Sequence, residues 1–138
     1  MAVFNKFNSF VEDLSEKVHN LGADDIKVYL TNTLPLATNT VYNVPADLTT
    51  GGGYTAGGNS CTITSSAQTS GTYKLVLVDS VFTATTGFGP FQYAVLYNNT
   101  AVSKQLIGWY NYGSSISLGA LETFTVDFDG AAGVLTLA

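Results

Sequence analysis

The stretch that decides the fold is Thr72–Tyr112, TYKLVLVDSVFTATTGFGPFQYAVLYNNTAVSKQLIGWYNY. It holds three strongly apolar runs separated by turn signals. It also holds five of the eight tyrosines, three of the eight phenylalanines and the only tryptophan. Thr72–Val78 is apolar on both faces, with Tyr73, Leu75 and Leu77 set against Val76 and Val78. Phe91–Tyr97 has the same two-faced character, and Gln105–Tyr112 forms a third run with room for a bend at Gly108. Such runs suit strands covered on two sides. Gly87, Gly89 and Pro90 read as one turn. Asn98 and Asn99 read as a tight-turn pair, since Asn tolerates φ > 0.

Working outward, the flanks continue the β pattern. Ile26, Val28 and Leu30 alternate against Lys27, Tyr29 and Thr31, as in a half-buried strand. Asn32–Thr50 contains Pro35 and Pro45 and reads as an extended connection, with an edge strand over Thr40–Val44. Ser60–Ser66 reads as a short strand with Cys61 and Ile63 inward. On the C-terminal side Ser114–Leu118 is a short strand. Glu122–Phe128 places Phe124, Val126 and Phe128 inward, and Val134–Leu137 closes the set.

Only Phe4–Leu21 departs from this pattern. Phe4, Phe7, Val11, Leu14, Val18 and Leu21 follow each other at spacings of three and four, and Phe10 widens the stripe. The spacing predicts an amphipathic helix. Ser9 and Glu12 have capping-box spacing, so the regular helix can begin at Ser9, and Gly22 is placed as a C-cap. The expected fold is mainly β. It is an antiparallel β-sandwich or barrel of about seven or eight strands, residues 23–138, preceded by an N-terminal amphipathic helix, residues 1–22.

Composition bounds the function. The 138 residues suit one domain able to bury a core without staples. The single Cys61 forms no intrachain disulfide. Only 11% of residues are charged and none is Arg, against about 25% charged in ordinary soluble domains. A net charge of −5 without basic clusters argues against nucleic acid and against anionic membrane surfaces. The start MAVFNKFNSF lacks an apolar h-region, so no signal peptide is expected. No run approaches the roughly 20 apolar residues of a spanning helix.

Chemistry-bearing patterns are weak. Gly51–Asn59, GGGYTAGGN, lacks the Gly-Lys-Ser/Thr and the following helix of a phosphate loop, and reads as a mobile surface loop. His19 is the only histidine and reads as a helix C-terminal or solvated residue. One His and one Cys cannot supply a usual zinc set. Asp127, Asp129 and Gly130 form D-x-D-G, a calcium-loop fragment without its remaining ligands. Asp47, Asp79, Glu122, Asp127 and Asp129 are the only carboxylates of the β-body, with no supporting polar company for a glycosidase pair. No catalytic residue, cofactor or metal is expected, and the chain reads as a non-enzyme. Tyr93, Tyr97, Trp109, Tyr110 and Tyr112 read either as core or as part of an interface, where Tyr and Trp are enriched.

Several phrases together resemble small virion proteins of tailed bacteriophages: FNKFNSFVEDLSEKVHNL (4–21), KVYLTNT (27–33), GYTAGG (53–58), GTYKLVL (71–77), GPFQYAVLYN (89–98), LIGWYNYG (106–113) and ETFTVDFD (122–129). The resemblance runs nearly end to end and brings no assigned functional residues with it. It implies a structural component of the particle: a capsid decoration (cement) protein on the virion exterior that binds the major capsid protein lattice and copies of itself as a homo-oligomer. A tail, connector or host-adhesion role is the alternative. Phe4, Phe7, Phe10, Val11 and Leu14 are the expected docking residues, with Tyr54, Trp109 and Tyr112 as further contact candidates.

Overall fold

A computed structural model describes residues 2–138. In chain order the strands are β1 (Phe4–Lys6), β2 (Ile26–Thr31), β3 (Asn59–Ser60), β4 (Ile63–Thr69), β5 (Thr72–Leu77), β6 (Ser80–Thr83), β7 (Gly87–Asn98), β8 (Leu106–Gly119), β9 (Thr123–Val126) and β10 (Leu135–Leu137). Among the described residues one α-helix, α1 (Ser9–Ser15), follows β1, and a single 3-10 turn spans Val44–Ala46. Every strand pairing is antiparallel. One sheet has the order β1-β8-β7-β2-β3, a second β10-β5-β4, and a third pairs β6 with β9. The fold is therefore mainly β and antiparallel, with one short N-terminal helix.

The two-faced apolar runs have a direct structural cause. The five-stranded sheet is covered on both faces. On one face Ile26, Val28, Leu30, Phe91, Ala94, Leu96, Ile107 and Tyr110 join Leu75, Leu77, Phe82 and Val126 of the other sheets in the main core. On the other face Phe7, Tyr29, Val95, Tyr97 and Leu106 form a second cluster, against which Tyr42 and Trp109 pack. The uncharged connection after β2 covers that second face. It is held there by Asn8 N–H to Ala37 O at 2.9 Å, Tyr42 N–H to Lys104 O at 2.9 Å and Leu106 N–H to Thr40 O at 2.9 Å. Burying a large aliphatic or aromatic side chain stabilises by about 1.5–3 kcal/mol, so the second cluster anchors this connection firmly.

The N-terminal stripe is not one helix. Phe4, Asn5 and Lys6 pair with Tyr110, Trp109 and Gly108 as an edge strand. The helix begins at Ser9 and ends at Ser15. The spacing of three that mimics a helical stripe instead sends the phenylalanines to different places: Phe7 to the second cluster, Phe10 to the main core. The capping box does not form, because Asn8 precedes the helix in helical geometry and no side-chain cap bond is made. Lys17, at φ 69°, takes the left-handed position expected of Gly22.

Other differences lie in strand lengths. The expected turn at Gly87–Pro90 is the start of β7, and the two expected strands before and after Gly113 are one strand, β8. The register runs from Phe91↔Ile116 to Tyr93↔Asn111, so β8 carries extra residues around Gly113. A bulge lets one strand continue through a bend that reads as a turn in sequence. At Gly108 a Cβ would run into the Phe4 ring, so glycine is what lets the aromatic lie across the strand. The expected strand over Thr40–Val44 is a single bridge, Val41↔Gln105. The Asn pair is not a tight turn: Asn98 closes β7, its N–H bonds Gln105 O at 2.9 Å, and the loop runs between them.

Candidate functional site

The largest concavity among the described residues, about 940 Å³, opens between the segment after α1, the loop after β7 and the β10-β5-β4 sheet. Leu14, Val18 and Leu21 supply one wall, Ala101 and Val102 a second, and Tyr73 and Leu137 a third. Lys17, His19, Asn20, Asp24, Ser66, Thr100 and Gln105 also line it.

A buried polar network braces this cleft. Asn98 is fully buried. Its Oδ1 accepts the N–H groups of Thr100 at 3.0 Å and Ala101 at 3.1 Å, so its Nδ2 is the donor. Nδ2 donates to Asp24 Oδ2 at 2.7 Å and to His19 Nδ1 at 3.0 Å. Asp24 Oδ2 also accepts Asn20 N–H at 2.8 Å. His19 Nδ1 is thus an acceptor, and the neutral ring carries its hydrogen on Nε2. His19 is only 5% exposed, which corrects the expectation of a solvated or helix-terminal residue. Burial lowers its pKa below 6.5, and the carboxylates of Asp13 and Asp24 oppose that shift. Among the described residues, His19 Nε2 and Gln105 Oε1 are buried without a hydrogen-bond partner, as are Ser9 Oγ and Asp13 Oδ2.

A second polar centre is Asp47. Its carboxylate accepts the Tyr54 hydroxyl and Gly57 N–H, each at 2.5 Å, and the Tyr42 hydroxyl at 2.7 Å. Tyr54 Oη in turn accepts Leu30 N–H at 3.0 Å, and the Tyr97 hydroxyl donates to Gly57 O at 2.7 Å. Burial and the nearby Asp47 push the Tyr29, Tyr42 and Tyr54 hydroxyls well above their ordinary range, and Tyr97 up to about 12. All four remain neutral donors at physiological pH. The glycine-rich segment is therefore packed, correcting its reading as a mobile surface loop. Gly52 O accepts N–H groups from Thr85, Thr86 and Gly87. At Gly58 a Cβ would overlap Val28 O, so the glycine is required by close backbone approach.

The remaining carboxylates of the β-body each brace backbone. Asp79 accepts Phe128 N–H, Glu122 accepts Gly119 N–H, Asp127 accepts Asp129 N–H, and Asp129 accepts Ala131 and Ala132 N–H. No group of three or more His, Cys, Asp or Glu side chains that could hold a metal occurs among the described residues. Burial pushes the Cys61 thiol up to about 12, which keeps it protonated and unreactive.

The expected contact residues do not form one surface. Phe7, Phe10 and Tyr54 are buried within the protein's own core, at 0%, 2% and 2% exposure, which corrects their placement at a docking face. Phe7 packs on Trp109 at 4.6 Å and Phe10 on His19 at 5.3 Å between ring centroids. Phe4 is half-buried edge-on to Tyr110. Val11 is exposed, and Leu14 is half-buried in the cleft wall. Trp109 and Tyr112 are half-buried on different packing groups, Tyr112 standing edge-on to Phe124 at 4.9 Å. The sequence reading missed His19, Asp24 and Asn98 as a unit; the buried Asn ending an apolar run was the available signal. It also missed exposed Leu34, Leu36, Val41 and Val44, which lie in a segment with no charged residue from Asn32 to Ala46.

The chain matches no protein-family model, no curated protein and no solved structure.

Proposed function

We propose that this chain is a structural component of a tailed-phage particle, a capsid decoration protein that sits on the major capsid protein lattice as a homo-oligomer. The resemblance of its seven sequence phrases to such virion proteins is the origin of the reading. The observation that carries it is the apolar, charge-free segment over the second sheet face. There Leu34, Leu36, Val41 and Val44 are 58%, 54%, 40% and 67% exposed. Monomeric surfaces seldom gather apolar side chains in a charge-free patch, and such patches mark contact surfaces. Decoration by this route is mechanical: each copy buries apolar area at about 25 cal/mol per Å², and symmetry repeats the gain over the shell.

In the same reading the domain is a β-sandwich. The five-stranded sheet is one layer, and the β10-β5-β4 and β6-β9 sheets together form the facing layer. Support comes from the main core, which draws Val28 and Leu96 from the first layer and Leu75, Phe82 and Val126 from the second.

The test is co-sedimentation of the purified protein with emptied, expanded heads of the phage that encodes it. Wild type is expected to pellet with heads. Leu36→Asp with Val44→Asp, both at exposed positions, should stay folded and remain in the supernatant. Equal pelleting of the folded double variant overturns this face as the contact surface, and failure of wild type to pellet overturns the decoration role.

A further inference from the structure

The cleft beside β10 offers a second contact site, made of different residues from the Leu34–Val44 face and independent of the virion reading. We propose that it binds an extended, uncharged, apolar peptide segment of a partner protein. Three observations lead there.

The first is size and lining. A volume of about 940 Å³ walled by Leu14, Val18, Val102, Tyr73 and Leu137 can take apolar side chains; ligand pockets run to about 300–1,000 Å³. Val102 is fully exposed at the mouth, an aliphatic side chain with no cover of its own.

The second is hydrogen bonding. His19 and Gln105 both line the cleft, and each holds one buried polar atom without a partner. The tautomer fixed by Asn98 makes His19 Nε2 a donor, while Gln105 Oε1 is an acceptor. A peptide amide carries the complementary pair, a C=O and an N–H. A buried donor or acceptor left unpaired is costly, so an amide that satisfies both atoms gains on binding what the free protein lacks. Charge on the ligand is disfavoured either way: Asp13 and Asp24 stand near His19 against an anion, and Lys17 lines the cleft against a cation.

The third is the sheet edge. β10 is the outer strand of the β10-β5-β4 sheet, and Leu137 on it lines the cleft. An edge strand presents unpaired backbone groups, and an extended peptide adds to such an edge with its side chains placed in adjoining pockets. An edge favours a peptide over another amide such as an acetamido sugar.

The test titrates the ¹⁵N-labelled full chain with N-acetylated, C-amidated valyl-leucyl-valine and, separately, with N-acetylglucosamine. The expected result is saturable shifts from the peptide at Val102, Gln105 and Leu137 and at the His19 ring, with a dissociation constant of about 1 mM. Val102→Asp, at a position that packs on nothing, should leave the spectrum folded and weaken binding at least about tenfold. Gln105→Leu removes the unpartnered acceptor, so its thermal midpoint should equal or exceed wild type while peptide binding weakens. No saturable shift up to about 10 mM peptide, shifts confined to another face, or equal binding by folded Val102→Asp each overturn the proposal. The same cleft shifts from the sugar, with none from the peptide, overturn the choice of peptide.

Discussion

Replacing Tyr54 with Phe deletes one oxygen atom and keeps the ring, yet that oxygen joins three parts of the chain. It accepts Leu30 N–H from the centre of β2 at 3.0 Å and donates to Asp47 at 2.5 Å, and its ring is 2% exposed. Two losses follow. Leu30 N–H is left buried and unpaired, which costs about 1–3 kcal/mol. A hydrogen bond to a charged acceptor goes as well, worth about 1.5–3 kcal/mol. Both bonds share one hydroxyl and their losses do not add fully, so the expected destabilisation is about 2–4 kcal/mol. Total stability of a domain this size is about 5–15 kcal/mol, and the thermal midpoint should fall by about 10 °C. The assay is urea unfolding followed by tryptophan fluorescence, since Trp109 is the only tryptophan, with Tyr42→Phe as the internal control. Tyr42 also donates to Asp47, at 2.7 Å, but is half-buried and holds no backbone group through its hydroxyl, so its loss should cost about 0.5–1.5 kcal/mol. A Tyr54→Phe loss no larger than that of Tyr42→Phe would refute the claim that this hydroxyl ties the glycine-rich segment to the sheet.

Three further expectations follow from named contacts. Gly58→Ala drives a Cβ into Val28 O at a φ of +74°, so it should cost more than about 2 kcal/mol; circular dichroism melting showing less than about 0.5 kcal/mol contradicts the close approach. Phe10→Ala should cost about 3–5 kcal/mol, whereas Val11→Asp on the exposed side of α1 should change stability by no more than about 0.5 kcal/mol; reversed values in urea titrations would mean that the helix faces the other way. Burial holds His19 neutral in the folded protein, with its pKa below 6.5, while the unfolded chain protonates there first. Stability from this group is therefore fully present above pH 6.5 and is lost as pH falls from 6.5 towards the folded pKa. The fall in urea midpoint between about pH 7.5 and about pH 5.5 should be smaller in His19→Asn than in wild type; equal falls would show that His19 does not carry it.

The β character was legible because apolar alternation survives folding unchanged. Ile26, Val28 and Leu30 go to the main core as their spacing says, and Tyr29 goes to the opposite cluster. Two-faced runs at Thr72–Leu77 and Phe91–Tyr97 announced strands with cover on both sides. The N-terminal stripe misled because spacings of three and four also arise when a short strand, a connector and a short helix send successive phenylalanines to different faces. The pairing of Phe4 with Tyr110 spans most of the chain, and no local pattern encodes it. The glycine-rich segment misled for a similar reason. Gly58 looks like freedom in sequence, but its partner is the Val28 backbone, which only the folded chain brings near. Asp47, His19 and Asn98 gain their roles from partners far along the chain or from burial, so no motif marks them. The exposed aliphatics at Leu34, Leu36, Val41 and Val44 were visible as residues but not as a surface, because proline-containing connections carry no period from which to read a face.

The central claim is that this chain is a repeated component of the outer capsid. Its most direct test is a cryo-electron microscopy map of the phage particle that encodes the chain, read for the position and copy number of this fold. The account predicts density for many symmetry-related copies on the head exterior, with the Leu34–Val44 face against the major capsid protein. A few copies at a tail end would contradict decoration, and no copy on the particle would contradict any structural role in the virion.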